Sequence, residues 1–127
     1  MDREVIENRI EPEKAVLVAV DIGGDIDVDK SLDELEELAK TAGAEVVGRV
    51  RQARDGFHPG TYIGKGKIEE VADMIRFMDA DLVICDDELS PAQMSNLSDV
   101  LAVKVIDRTV LILDIFAAHA RTAEGKL

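Results

Sequence analysis

The chain has a single cysteine and no tryptophan, and aromatic residues make up only 3% of its 127 residues. Cys85 has no second cysteine to pair with, which excludes an intramolecular disulfide and favours a reducing compartment. No apolar run approaches the roughly 20 residues that cross a bilayer. The acidic N-terminus, MDREVIENRIEPEK, also lacks the apolar stretch of a secretory signal. These absences predict a cytoplasmic chain without a membrane span.

Basic residues are scarce too, with 15 Lys and Arg against 27 Asp and Glu and a net charge of −12 at pH 7. A uniformly acidic surface repels the phosphate backbone of nucleic acids. The charge is uneven, however, because residues 49–67 carry five basic side chains and a single acid, Asp55, between two acidic stretches. We call these five residues the basic island: Arg49, Arg51, Arg54, Lys65 and Lys67. The basic island is a candidate contact for rRNA or another anion.

Hydrophobic residues are plentiful at 46%, which is enough for a proper core, and we expect one domain over residues 1–127. Short apolar runs predict strands at 15–20, 45–54, 81–85 and 103–106. Helical spacing and end signals predict helices that follow Ser31 and Ser90 and that span 67–78 and 109–121. The alternation predicts an α/β fold, an open and mostly parallel four-stranded sheet flanked by helices.

Three of these helices carry further signals. Ser31 and Glu34 have the spacing of a capping box, and Ser90 is followed by a proline and by Gln93 at the same spacing. The last helix, Thr109–Arg121, is apolar almost all round, which predicts burial on more than one side. We expect the isolated chain to self-associate through this helix or to bury it against a partner.

Ligands of open parallel sheets bind beyond the carboxyl ends of the strands, so residues that follow the strands should gather there. Four sets qualify: Asp21 with Gly23 and Gly24, the loop 51–67, the acids 86–88, and Asp107 with Arg108. Asp21, Asp86 and Asp87 are weak candidates for Mg²⁺. Acids that follow a strand also suit the start of the next helix. The helix-start interpretation is favoured, and no metal site is assigned.

The segment TYIGKGK is similar to glycine-rich loops in which backbone amides and a lysine hold a phosphate. Its phosphate-loop candidates are Gly64, Lys65, Gly66 and Lys67. It is not a P-loop, because Ile68 stands where that motif requires Ser or Thr. Two glycines before a helix are also ordinary turn chemistry. No set of nucleophile and base is evident, and we assign no catalytic residue.

Four segments together resemble the HflX family of ribosome-associated GTPases. They are TYIGKGKIEEV, DADLVICDDELSPAQMSNL, VKVIDRTVLILDIFAAHARTAEGKL and the more generic LDELEELAKTAGAEVVG, which cover about three quarters of the chain. In that family the pattern continues into a helical hairpin and a GTP-binding domain with its P-loop. We therefore expect both to be absent from residues 1–127, with the last helix leading toward them.

The resemblance implies an N-terminal docking and regulatory domain of a cytoplasmic GTPase that binds the large ribosomal subunit and splits stalled or stressed ribosomes. It implies contacts with rRNA, for which the basic island is the expected footprint, and with the protein's own GTP-binding domain. GTP and Mg²⁺ are expected in the parent protein and no cofactor in this fragment. The alternative is a stand-alone ATP-binding or weak ATPase domain that uses the TYIGKGK loop. A phosphoacceptor domain of the response-regulator type is disfavoured, because neither a fifth strand nor the lysine after it is evident.

Overall fold

A computed structural model of the protein describes residues 11–125, with side-chain environments given as far as residue 118. The N-terminal segment MDREVIENRIEPEK, whose sequence predicts that there is no secretory signal, lies largely outside these residues. The strands are β1 Lys14–Asp21, β2 Glu45–Ala53, β3 Leu82–Cys85 and β4 Lys104–Asp107. The helices are α1 Val28–Thr41, α2 Lys65–Met78, α3 Pro91–Leu101 and α4 Arg108–Gly125. The predicted α/β fold is confirmed.

The sheet has the order β2-β1-β3-β4, and its three strand pairs are parallel. β1 lies inside the sheet and is buried on both faces, because the residues from Ala15 to Val20 are at most 5% exposed. Its valines at 16, 18 and 20 pack with α2 and α3, and Ala15, Leu17 and Ala19 pack with α1 and α4. A continuous apolar run is what a parallel strand with helices on both faces requires.

The start of α1 corrects one prediction. The helix begins at Val28, and the carboxylate of Asp27 accepts the N–H of Lys30 at 3.1 Å, so Asp27 is the N-cap and a capping box at Ser31 is wrong. The earlier start carries Val28 into the core, where it is only 6% exposed. Asp caps a helix as well as Ser does, and burial of one more apolar side chain favours the longer helix. Ser31 lies within the first turn and uses its hydroxyl elsewhere.

The other boundaries agree within a few residues. The capping box of α3 is confirmed, because Ser90 Oγ accepts the N–H of Gln93 at 3.0 Å and Gln93 Oε1 accepts the N–H of Ser90 at 2.9 Å. α2 begins at Lys65, two residues earlier than predicted. Among the residues with a described structure, no helix is long and apolar enough to cross a membrane.

α4 starts directly after β4 and covers the sheet with one side only. Leu111 is 3% exposed, whereas Leu113 and Phe116 on the outer side are 60% and 66% exposed. Part of the apolar surface that the sequence places on this helix is therefore uncovered in the single chain. Self-association through it stays a prediction.

Candidate nucleic-acid interface

The four residue sets that follow the strands do meet at the carboxyl edge of the sheet. β1 lies beside β3, and Tyr62 of the loop after β2 bonds both to the N–H of Val20 at the end of β1 and to Asp87 after β3. Contacts between the sets include those of Arg51 with Asp21, Tyr62 with Asp87 and Arg108 with Asp86. The N–H of Leu89, the residue after the acids 86–88, donates to Asp107. The topology brings these residues together as the sequence predicted.

A half-buried ion pair joins the start of α4 to the end of β3. Asp86 is 9% exposed, and its Oδ1 accepts from Arg108 Nη2 at 2.5 Å and from Nε at 3.2 Å. Its other oxygen accepts from Ser31 Oγ at 2.6 Å. Arg108 Nη2 also donates to the backbone carbonyl of Ser31 at 2.9 Å. Both oxygens of Asp86 are thus used to tie α1, β3 and α4 together.

Asp87 is held by the only tyrosine of the chain. Tyr62 Oη donates to Asp87 Oδ2 at 2.6 Å and accepts the backbone N–H of Val20 at 3.2 Å, and Tyr62 is fully buried. Burial raises the pKa of the Asp87 carboxyl, while the hydrogen bond from Tyr62 lowers it in part. Burial, with the hydrogen bond to Asp87, also raises the pKa of the tyrosine hydroxyl.

The remaining carboxylates of this edge serve the backbone. Asp107 Oδ1 accepts the N–H of Val110 at 2.9 Å and its Oδ2 accepts the N–H of Leu89 at 2.8 Å. Asp21 Oδ1 accepts the N–H of Gly23 at 2.9 Å. Over the part of the chain that the structure describes, no three His, Cys, Asp or Glu residues are grouped as a metal ion would need. The carboxylates named as weak Mg²⁺ candidates therefore all have protein partners.

The basic island is divided between two sides of the sheet, and its first two arginines are neutralised. Arg49 Nη2 donates to Asp33 at 2.7 Å and to Glu36 at 2.8 Å, both on α1. Arg51 pairs with Asp29 at the start of α1 and more distantly with Asp21. The hydrogen bonds with these carboxylates raise the pKa of both arginines. The positive charges of both arginines are therefore compensated by carboxylates of α1.

The other three basic residues lie together near the start of α2. Arg54 Nε donates to the carbonyl of Gly56 at 2.9 Å, and a Cβ on Gly64 would come within 3.0 Å of Arg54 Nη1. The guanidinium therefore lies over Gly64, the N-cap of α2, which makes no side-chain cap hydrogen bond. Lys65 is exposed, whereas Lys67 pairs with Glu70 at 2.9 Å. Within the phosphate-loop candidates, the N–H of Gly64 donates to Gln52 Oε1 at 2.8 Å.

The loop that carries this second group, residues 54–64, is fixed by many hydrogen bonds. His58 Nδ1 accepts the N–H groups of Gly60 and Thr61 at 3.0 and 3.2 Å, which closes a tight turn. α3 holds the same turn, because Gln93 Nε2 donates to the carbonyl of His58 and Asn96 Nδ2 to that of Gly60, both at 2.9 Å. The loop is therefore a rigid part of the surface.

Sequence reasoning found the edge but missed two of its contacts. Tyr62 sits in TYIGKGK as an apparent loop residue, yet it is buried with a φ of 71°, a left-handed conformation that is uncommon for a bulky side chain. The pair of apolar residues Tyr62 and Ile63 within this loop was the only sequence signal that Tyr62 is buried. The role of Ser31 was hidden because its spacing from Glu34 suggested a cap.

Comparison with known proteins assigns the chain to a family. The family model described as "GTP-binding GTPase N-terminal" matches residues 29–117. A protein of Lacrimispora saccharolytica called GTPase HflX is 57% identical over 124 residues, which cover 98% of this chain and 29% of that protein. GTPase HflX of Escherichia coli is 44% identical over 115 residues, covering 91% of this chain and 27% of that protein. The chain thus spans less than a third of the length of these relatives.

Solved structures agree on the fold. The crystal structure titled as a complex of SsGBP and GDP superposes with a TM-score of 0.63 at 19% identity, covering 84% of this chain and 29% of that chain. The crystal structure of a mutation variant of SsGBP superposes with a TM-score of 0.65 at 20% identity, and the match covers 84% of this chain and 32% of that chain. Likeness at this identity supports the architecture alone. On the family match and the high identity to its members, the chain belongs to the HflX family and corresponds to its N-terminal domain.

Proposed function

We propose that this chain is the docking and regulatory domain of an HflX-type GTPase and that it attaches the parent protein to the rRNA of the large ribosomal subunit. In the parent, a GTP-binding domain hydrolyses GTP, and the protein splits stalled or stressed ribosomes. The contact surface consists of the three residues of the basic island that lie near the start of α2 and not against α1: Arg54, Lys65 and Lys67. The observation that carries the proposal is the division of the basic island between two sides of the sheet.

The TYIGKGK segment, which holds the phosphate-loop candidates, does not fit GTP and Mg²⁺. The N–H of Gly64 is already used by Gln52, Ile68 replaces the Ser or Thr that would hold Mg²⁺, and Lys67 pairs with Glu70. The same contacts weigh against the stand-alone ATP-binding function. In this proposal both cofactors belong to the GTP-binding domain of the parent.

A comparison of two doubly neutralised variants tests the proposed surface. Arg54→Gln with Lys65→Gln and Arg49→Gln with Arg51→Gln each remove two positive charges, so the net charge changes equally. We expect the first pair to weaken co-sedimentation with purified large ribosomal subunits and to reduce the salt dependence of binding by about two phosphate contacts. The second pair should leave both quantities almost unchanged, because its arginines face carboxylates of α1. Equal behaviour of the two variants would refute the assigned surface.

A further inference from the structure

Phe57 is an exposed aromatic side chain beside the cations of the proposed surface. Phe57 is 39% exposed. Its ring makes an edge-to-face contact with the buried ring of Tyr62, with 5.2 Å between the ring centroids and 63° between the ring planes. The contact with Tyr62 covers part of Phe57, and the exposed part of the side chain faces solvent. An aromatic ring kept at the surface in this way loses the stabilisation that full burial would bring.

The position of the ring is fixed before any ligand arrives. Tyr62 is anchored through Val20 and Asp87, and the turn that follows Phe57 is closed by His58 and held from α3 by Gln93. A contact group that is already ordered loses little conformational entropy on binding. The loop therefore presents Phe57 as a preorganised contact.

The charges around Phe57 favour a short contact with RNA over a long one. Arg54 donates to the carbonyl of Gly56, one residue before the ring, and Lys65 is exposed at the start of α2. Lys67 is paired with Glu70, and the acid Asp55 is exposed on the same loop, so Arg54 and Lys65 are two cations against one carboxylate. Few phosphates can be neutralised here, and a second source of affinity is required. Stacking of a base on an aromatic ring is such a source.

We propose that Phe57 stacks on an unpaired nucleobase of RNA while Arg54 and Lys65 contact the neighbouring phosphates. This inference rests on the proposed function, in which RNA is the partner. The base must be unpaired because bases within a duplex stack on each other and show a protein only their edges. The recognised feature is thus a single-stranded loop, bulge or end.

The test uses a pentanucleotide of RNA with 2-aminopurine at its centre, because the fluorescence of this base changes when it stacks. The full chain should change the fluorescence and should bind with a shallow salt dependence, close to the slope of about −1.4 that two single-strand phosphate contacts give. Phe57→Leu keeps an apolar side chain against Tyr62 and should weaken binding about ten-fold. Phe57→Tyr should retain binding, because its ring can stack.

Phe77 provides the matched control, since it is another phenylalanine and is 88% exposed near the end of α2. Phe77→Leu should bind like the unchanged chain. If the unchanged chain sediments with large subunits while Phe57→Leu matches it in every oligonucleotide measurement, stacking is wrong and the proposed function survives. If the unchanged chain binds neither the subunit nor the oligonucleotide, the proposed function itself fails. Equal affinity for a longer blunt RNA duplex with the same five bases at its centre would also overturn the stacking proposal.

Discussion

Replacing Tyr62 by phenylalanine removes one oxygen atom that joins the loop 54–64 to β1 and to the segment after β3. The hydroxyl donates to the Asp87 carboxylate at 2.6 Å and accepts the N–H of Val20 at 3.2 Å. Both partners lie inside the protein, where Val20 is 5% exposed and Asp87 is half-buried. A hydrogen bond to a charged group contributes about 1.5–3 kcal/mol, and a buried donor left unpaired costs about 1–3 kcal/mol. Since the two effects overlap, we expect a loss of about 3 kcal/mol.

Urea unfolding followed by far-UV circular dichroism measures this loss. With an m-value of about 1.5 kcal/mol/M, the midpoint should fall by about 2 M urea. Thr41→Val is a suitable control, because it also deletes one hydroxyl, which donates to the carbonyl of Glu37 at the exposed end of α1. This control should shift the midpoint by less than about 0.5 M. A Tyr62→Phe variant within about 1 kcal/mol of the unchanged chain would refute the view that this oxygen fixes the loop.

Three further predictions concern other parts of the chain. The pKa of Asp87 is raised above its ordinary 3.8, so the stability that this group contributes is present at low pH and is lost as pH rises through the raised pKa. In urea titrations, the unfolding free energy of Asp87→Asn relative to that of the unchanged chain should therefore increase as the pH rises above the ordinary pKa of 3.8. A difference that stays constant with pH would contradict this. A Cβ on Gly48 would clash with Met74 Sδ, near the end of a flexible side chain that can move, so Gly48→Ala should cost no more than about 1 kcal/mol. Met74→Ala should cancel most of that cost in a double-mutant cycle. Static light scattering should detect oligomers of the unchanged chain that Leu113→Ser with Phe116→Ser abolishes; a strict monomer at high concentration would count against self-association.

The positions of the strands and the burial of β1 on both faces could be predicted because they depend on local composition. The run from Ala15 to Val20 is apolar throughout, and only a strand covered on both faces can use such a run. The start of α1 could not be predicted, because Asp27 and Ser31 are both good caps. The choice depends on Val28, whose burial requires the sheet to be in place. A local pattern cannot contain that information.

The division of the basic island was also beyond the sequence. β2 pairs with β1 through a register shift after Ala15, which leaves Val47 as an extra residue between Val46 and Gly48. An extra residue reverses which face each following side chain takes. Arg49 consequently lies on the face of α1. Without this bulge, strict alternation from Val46 would direct Arg49 toward α2. Gly48 is the only local signal, and an isolated glycine in a strand fits a bulge or a close packing contact equally well.

This bulge also bears on how a chain of net charge −12 could approach RNA. It turns Arg49 and Arg51 toward carboxylates of α1, so that part of the acidic surface is neutralised within the fold. Arg54 and Lys65 stay near the other side of the sheet. Because salt screens exposed charges beyond about 8–10 Å, the distant acids weaken a local contact less than the net charge suggests. A patch with two available cations nevertheless gives little affinity by itself. We therefore expect stacking and the remaining domains of the parent protein to supply most of the binding energy, with this edge of the sheet fixing the position of the contact.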